Sequence, residues 1–398
     1  MPDTLTQPDA STVRVAYLSY DGALDPLGST QVVPYLEGLS RRGVQFEFIT
    51  FEKPSRFRDA GRVAGMSSRL ARAGIAWHPL RYHKSPRVPA TLFDVVIGAR
   101  CLRRVARGSK LDLFHCRGDI TPVMVRLSRL RGPLLLDMRG FFSDERVDAG
   151  SWAAGSSLDK AVRAMERQNL RRATRIVVLT EQGRGVLRGR GVQLPIDVIP
   201  TCVDCDQFVS RFDQRKADYD IVYFGSLGGW YMTNEMLDFV DVIRKRGDPL
   251  RALFLTNNVD AATLLRLDRA GVTVQTAPPE QVPDWLSRCR SAFFFIRATP
   301  SKMASCPTKL AEALAMGLPV LTGPGVGDVD EILRRESVGF VLDDFSGESF
   351  WRGWKAMTAL LKDPQTPARC RSVALSRLSL TQGVASYERV YEQIGRAK

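Results

Sequence analysis

The sequence predicts an α/β protein of two doubly wound domains, each a twisted parallel sheet with helices on both faces. Three observations predict it. The 398 residues are too many for one ordinary core and suit two domains of roughly 150 to 200 residues. A strand, a glycine-bearing loop, a helix and a second strand follow one another between Val13 and Phe51. The same series begins again at Tyr219.

Val13 to Tyr20 (VRVAYLSY) is rich in β-branched and aromatic residues and ends in Asp21-Gly22, so it reads as a buried first strand. The loop after it carries Gly28, then Ser29 or Thr30 as a helix N-cap. Val32, Val33, Leu36 and Leu39 follow at helical spacing, and Gly43 stops the helix before the strand VQFEFITF. Strands in register after a crossover helix must run parallel. An Arg-rich helical stretch comes next, then strands near Leu111 to Cys116 and at Pro133 to Asp137 (PLLLD). Ile176 to Leu179 follows a helix ending at Arg172, and a last strand from Ile196 runs into a polar turn ending at Phe208.

The second series opens with YDIVYF (Tyr219 to Phe224), the loop Gly225-Ser226-Leu227-Gly228-Gly229 and a helix from Thr233 to Arg246. Ala252 to Thr256, Ser291 to Ile296, Pro319 to Thr322 and Gly339 to Leu342 are its further strands, and the tail from Glu348 has no strand pattern. The expected division is an N-terminal domain over residues 1–200, a C-terminal domain over 201–380, and a helix over 381–398 that can pack back on the first.

Hydrophobic residues make up 44% and charged residues 25%, the balance of a soluble globular chain. Apolar runs such as Ser291 to Ile296 break well before the ~18 residues that cross a bilayer. Met1 to Thr12 is polar, with none of the basic start and apolar run of a signal peptide, so a cytoplasmic protein is expected. Seven scattered cysteines do not form a disulfide framework; Cys202 and Cys205 lack the second pair or nearby His that zinc would need.

The net charge of +14 is uneven: residues 1–200 hold 32 Lys and Arg against 19 Asp and Glu, the rest 25 against 24. That asymmetry is either a solvated basic surface or the mark of an anionic partner. No basic-aromatic motif accompanies it, which disfavours nucleic acid and leaves an anionic membrane surface. Helical stretches at Ser67 to Ala73 and Ala99 to Arg107 mix Arg with apolar residues as a surface-binding helix would.

Chemistry concentrates in SCPTKLAEALAMGLPVLTGPGVGDVDEIL, Ser305 to Leu333. Pro307 suits the first helical position with Ser305 or Cys306 capping, and Gly317-Leu318-Pro319 ends the helix. The free amides of such a helix start, with the hydroxyl of Thr308 and the cation of Lys309, make a phosphate site. Glu312, three residues on, can accept hydrogen bonds from the vicinal hydroxyls of a ribose, or can simply pair with Lys309 on a helix surface. Asp343-Asp344 and Asp328-Val329-Asp330 read as turn and helix-start residues, so neither a metal nor another cofactor is expected.

At these residues the chain resembles the family 4 (group 1) retaining glycosyltransferases of GT-B architecture, two Rossmann-like domains facing a central cleft. The order of SYDGALDPLGSTQVVPYLEGLSRRG, DMRGFFSDER, VIPTCVD, YFGSLGGWYMTNEMLDF and the segment around EALAMGLPV carries the resemblance along nearly the whole chain. It implies a nucleotide-diphosphate sugar as donor and a glycan or lipid-linked molecule as acceptor. It places Glu312 on the ribose, Pro307, Thr308, Lys309, Gly225 and Ser226 around the nucleotide, and Gly28 and Ser29 toward the diphosphate and sugar. Arg139 falls where such enzymes place a His, and cannot act as a base. It can clamp a phosphate, and with Lys309 and Glu312 it forms the expected catalytic set. Asp137, Asp144, Glu145 and Arg146 lie on the acceptor side, the last three as acceptor contacts or as a salt-bridged loop.

The family's earlier Glu, eight residues before Glu312, is here Ala304. That departure leaves room for the alternative of a catalytically inactive scaffold at a membrane. A dinucleotide-dependent oxidoreductase is disfavoured, because no G-x-G-x-x-G follows the first strand.

Overall fold

In the computed structural model, described over residues 13–210, 217–257 and 259–396, two parallel sheets lie in sequence order. Met1 to Thr12, read above for targeting, lie outside the described residues. The first sheet has seven strands: β1 (Arg14–Ser19), β2 (Gln45–Glu52), β3 (Ile75–Arg81), β4 (Leu113–Arg117), β5 (Leu134–Asp137), β6 (Arg175–Val178) and β7 (Ile196–Val198). Their order across the sheet is β3-β2-β1-β4-β5-β6-β7. The second has six: β8 (Ile221–Phe224), β9 (Ala252–Leu255), β10 (Thr273–Gln275), β11 (Ala292–Phe294), β12 (Val320–Thr322) and β13 (Gly339–Val341). Its order is β10-β9-β8-β11-β12-β13. In both sheets the opening strand sits where the winding reverses direction, the place at which doubly wound folds bind ligands.

Sequence patterning leaves out two of these strands, β3 and β10, and both are sheet edges. Tyrosine- and leucine-rich central strands are buried on both faces, but β3 (IAWHPLR) carries His78 and Pro79 and is mostly half-exposed. An edge strand can tolerate that composition because one side of its ladder needs no partner.

The helix after β1 also differs from expectation. It begins at Pro26 rather than after Ser29, with Asp25 at the N-cap and no side chain capping it. Pro26 presets the helical φ, so the helix needs no hydroxyl to start it. Ser29 and Thr30 instead turn their hydroxyls back onto the Pro26 carbonyl. A break at Val32 then separates it from the helix Val33–Ser40, whose second residue is proline.

The first domain's core lies on both faces of its sheet, and part of it comes from far along the chain. Val384, Tyr387, Val390, Tyr391 and Ile394 of the helix Leu380–Arg396 pack with Val15, Leu36, Phe46 and Leu135 in one buried cluster. Contact is close enough that a Cβ on Gly38 would lie 2.6 Å from Val384, and one on Gly383 would lie 2.7 Å from Tyr35. The chain crosses between the sheets at Val203 and again at Ser379, where the two crossings pair as a parallel bridge.

The two helical stretches expected to present basic and apolar faces turn most of their apolar residues inward. In the helix Ala60–Arg72, Leu70 is buried and Arg69 is bound by Glu37 at 2.7 Å. In the helix Arg87–Gly108, Ala99, Cys101, Leu102 and Val105 point into the core, and Arg103 donates to the Ser128 carbonyl at 3.0 Å. Their apolar residues are core because a helix flanking a sheet must bury its apolar stripe there. No helix among the described residues is long and apolar enough to cross a membrane. All seven cysteines are free, and six are buried.

Candidate active site

The segments that follow β5 and β6 meet the segments that follow β11 and β12, and this meeting line borders the cleft. Thr180 Oγ1 donates to the Met303 carbonyl at 2.6 Å, and the Glu181 amide donates to Asp328 at 2.7 Å. The Ser301 amide donates to Asp148 at 3.2 Å.

On the second domain's side stands the helix Thr308–Ala315. Pro307 is its N-cap, in extended conformation, and no side chain caps it. Ser305 and Cys306 therefore do not cap as expected: proline's ring sets the turn into the helix, and the residues before it continue an extended approach. An uncapped helix start leaves amides and a positive dipole end for an anion.

Lys309 in the first turn is largely buried, and its Nζ donates to the Tyr231 hydroxyl at 2.7 Å. The same ammonium lies 3.9 Å from the centre of the Tyr231 ring, which holds a cation without neutralising it. Gly225, at the end of β8, has φ +115° and no side chain; a Cβ there would lie 2.6 Å from Nζ. Lys309 thus occupies the space that the glycine leaves. Ser226 accepts from the Tyr223 hydroxyl through its backbone carbonyl, and its own side chain is exposed. Glu312 is half-buried, and burial pushes its carboxyl up to about 7 despite the opposing charge of Lys309. The result is an uncapped helix start with a cation in its first turn and, one turn on, a carboxyl group able to accept from hydroxyl donors.

Residues 28–202 match a family model described as "Glycosyl transferase 4-like domain". Sucrose-phosphate synthase from Thermosynechococcus elongatus superimposes with a TM-score of 0.71 at 14% identity, over 97% of this chain and 100% of that one. HepE of Anabaena, solved with UDP and glucose, gives 0.68 at 12% identity, over 96% of this chain and 99% of that one. The lipopolysaccharide outer core galactosyltransferase WaaB gives 0.63 at 10% identity, over 96% and 100%. No curated protein matches the sequence. Residues 28–202 form a glycosyl transferase 4-like domain, and the chain has the GT-B fold.

Around this domain pair the other sequence-derived residues fall into three groups. Gly28 is buried in the short helix Pro26–Gln31, packed against the loop before it: a Cβ on it would lie 1.9 Å from the Gly22 carbonyl oxygen. Ser29 spends its hydroxyl on Pro26, as noted. Neither has Lys309 or Glu312 among its nearest partners.

Asp137 forms a second, buried centre. Burial disfavours its charge, but Arg139 at 3.5 Å, His115 at 3.4 Å and Arg117 at 3.7 Å outweigh that and hold its carboxyl well below the usual range. Asp137 is fully buried, so it is the counter-charge of this cluster. His115 is pinned between Asp137 and the Tyr391 hydroxyl, 2.7 Å away, and burial lowers its pKa. Arg139 is the outermost member, its side chain 18% exposed, and its charge reaches Cys306 just before the nucleotide-type helix start.

Asp144, Glu145 and Arg146 separate. Asp144 accepts from Arg163 at 2.9 Å and Arg190 at 2.7 Å, which makes it part of a salt-bridged surface. Arg146 lies over the Phe142 ring at 5.2 Å. Glu145 points across the cleft to Lys302 Nζ at 3.4 Å.

Sequence reasoning missed Lys302, Trp230 and Tyr231. Lys302 is 7% exposed, and its Nζ lies 3.9 Å from the centre of the Trp230 ring. Two aromatics directly after Gly228-Gly229 were the available signal, since a glycine turn presents whatever follows it. Ala304, two residues past Lys302, is buried against Gly183 of the first domain. It therefore serves the contact between domains and leaves Lys302 as the charged group nearest that stretch of the cleft.

Among the described residues no group of three or more His, Cys, Asp and Glu is placed to hold a metal. A cavity of about 740 Å³ opens elsewhere on the second domain, lined by Met316, Gly317, Leu360 and Arg371; none of the site residues lines it.

Proposed function

We propose that this glycosyltransferase moves a sugar from a nucleotide-diphosphate donor to a glycan or lipid-linked acceptor with retention of anomeric configuration, in the synthesis of a surface polysaccharide. One observation carries the reading: an uncapped helix start with Lys309 in its first turn and the half-buried carboxylate of Glu312 one turn on. A diphosphate needs the first pair of features and a ribose diol needs the second. That HepE was solved with UDP and glucose, and that WaaB is a lipopolysaccharide galactosyltransferase, supports the donor class and the glycan acceptor.

In this reading the bond from the sugar's anomeric carbon to the diphosphate breaks while the acceptor oxygen bonds to the same carbon from the same face. The acceptor's proton passes to the departing phosphate oxygen, so no protein carboxylate need be the nucleophile. Lys309 and the helix amides stabilise the charge that grows on the diphosphate, the kind of preorganised electrostatics that dominates such transfers. Arg139 adds a second cation from the opposite domain. Because Lys309 supplies a cation at the phosphates, the proposal requires no metal or other cofactor. The enzyme would work on the cytoplasmic side of the membrane, where a basic first domain meets anionic lipid.

The test is transfer from a panel of labelled sugar nucleotides to a lipid-linked acceptor. Glu312→Ala should lower transfer ~100-fold, about 2.7 kcal/mol of transition-state stabilisation, in a folded protein. Lys309→Ala should weaken donor binding, and added magnesium should not restore it. Wild-type transfer by Glu312→Ala, or full rescue of Lys309→Ala by magnesium, overturns the site. Donor binding without any transfer points to a scaffold.

A further inference from the structure

The long helix Arg87–Gly108 leaves an apolar row uncovered at its N-terminal half. Leu92 is 61% exposed and Phe93 52%, with Val88 and Val96 exposed beside them. Their spacing of four, five and eight residues puts them on one side of the helix, alongside the stripe that Val95 and Ala99 bury in the core. Four large apolar side chains on one stretch of surface are a patch and not scatter.

The surroundings say what fits the patch. Arg81, Lys84, Arg87, Arg100, Arg104 and Arg107 are all exposed around it. Between residues 81 and 110 the one acidic residue is Asp94, which is buried and bound by His83 at 2.6 Å and Tyr20 at 2.9 Å. A protein partner of ordinary composition would meet six exposed cations. An anionic bilayer offers hydrocarbon for the row and phosphates for the frame.

The position also matters. Arg87 lies close enough to Arg146 for their charges to interact, and Arg146 sits on the helix Phe142–Asp148 that borders the cleft through Glu145 and Asp148. The patch therefore begins beside the cleft's edge.

We propose that the N-terminal half of this helix is a membrane-docking surface, with Val88, Leu92, Phe93 and Val96 entering the headgroup boundary of an anionic leaflet and the surrounding arginines on its phosphates. The proposal deepens the membrane part of the function above and rests on it for its purpose: a lipid-linked acceptor held in the same leaflet would reach the cleft without leaving the membrane.

The full-length protein is sedimented with vesicles of phosphatidylcholine, alone or mixed with phosphatidylglycerol. Wild type should pellet only with the mixed vesicles, and less as salt rises. Leu92→Ser/Phe93→Ser should lower the partition on the order of 10-fold or more. Arg87→Gln, Arg100→Gln, Arg104→Gln and Arg107→Gln should each lower it about 5-fold. Leu264→Ser/Leu265→Ser, on the second domain and 47% and 49% exposed in the wild type, should change nothing. Pelleting that ignores Leu92 and Phe93, equal pelleting with neutral vesicles, or none at all overturns the proposal. So does a dimer that Leu92→Ser/Phe93→Ser converts to monomer without vesicle binding, because then a second copy covers the face. Titration with UDP alongside keeps the two readings apart: lost vesicle binding with UDP binding intact sinks the surface alone, and the reverse sinks the donor site alone.

Discussion

The loops after β1 and β8 occupy the same place in their sheets and both depend on glycine, yet they are built for opposite purposes. The first is closed. Buried Glu52 accepts from the Ala23 amide at 2.7 Å and the Leu24 amide at 3.1 Å, and Thr50, itself held by Trp77, donates to the same carboxylate at 2.6 Å. A Cβ on Gly22 would strike Glu52 at 2.4 Å, and one on Gly28 would strike backbone. The second is open: Gly228 and Gly229 have positive φ with nothing within 4 Å of where a Cβ would be, and Gly225 faces only the mobile end of Lys309. Glycines after a strand thus report two different needs, close backbone packing in one loop and open space in the other.

The comparison breaks most visibly at Glu52. Glu52→Ala strips the partner from two buried amides and should cost about 3 kcal/mol or more of stability, read from the urea midpoint at constant slope. Full stability with lost transfer would mean that the first loop is a ligand cradle after all.

The glycines sharpen the contrast. Gly28→Ala forces a methyl group onto the Gly22 carbonyl and should cost about 2 kcal/mol, with transfer falling only as the folded fraction falls. Gly225→Ala meets an unfavourable φ and displaces a flexible ammonium, so it should cost about 1 kcal/mol in stability while weakening UDP binding on the order of 10-fold. Calorimetric titration of both variants decides it, and equal loss of UDP affinity in the two would erase the distinction.

The smallest effect concerns Glu312. Its carboxyl, raised from 4.5 to about 7, binds more protons in the folded chain than in the unfolded one across that window, so it costs stability as pH rises through it. At pH 8 Glu312→Gln should therefore be more stable than wild type by about 1 kcal/mol, the usual sign of a group kept for function. UDP affinity of wild type should fall as pH drops below about 7, because the ribose then meets a protonated carboxyl. A Glu312→Gln protein with the same pH profile as wild type would remove the carboxylate from the site.

Legibility followed burial. Central strands such as VRVAYLSY and YDIVYF are apolar on both faces and plain in the sequence, whereas β3 and β10, half-exposed at the edges, carry polar residues and proline that hide them. Lys309 and Glu312 were legible because helix geometry fixes their relation to the helix start. Asp137 was not, since its role depends on His115, Arg117 and Arg139 arriving from separate positions. The pairing of Asp144 with Arg163 and Arg190 is likewise a matter of helices meeting, which spacing along the chain does not encode. The exposed row at Leu92 and Phe93 was invisible for the opposite reason: in sequence it continues the apolar pattern of a core helix.

The helix Leu380–Arg396 has a consequence for the order of events in synthesis. Tyr387, Tyr391 and Ile394 complete a core begun by Val15 and Phe46, so the first domain lacks part of its interior until a helix that follows the whole second domain has left the ribosome. The usual rule that N-terminal domains finish folding first is reversed. The second domain, whose cluster draws on residues from Val203 to Leu378, can close on its own while the first waits for its missing wall. Removing that one helix would harm the domain farther from it in sequence.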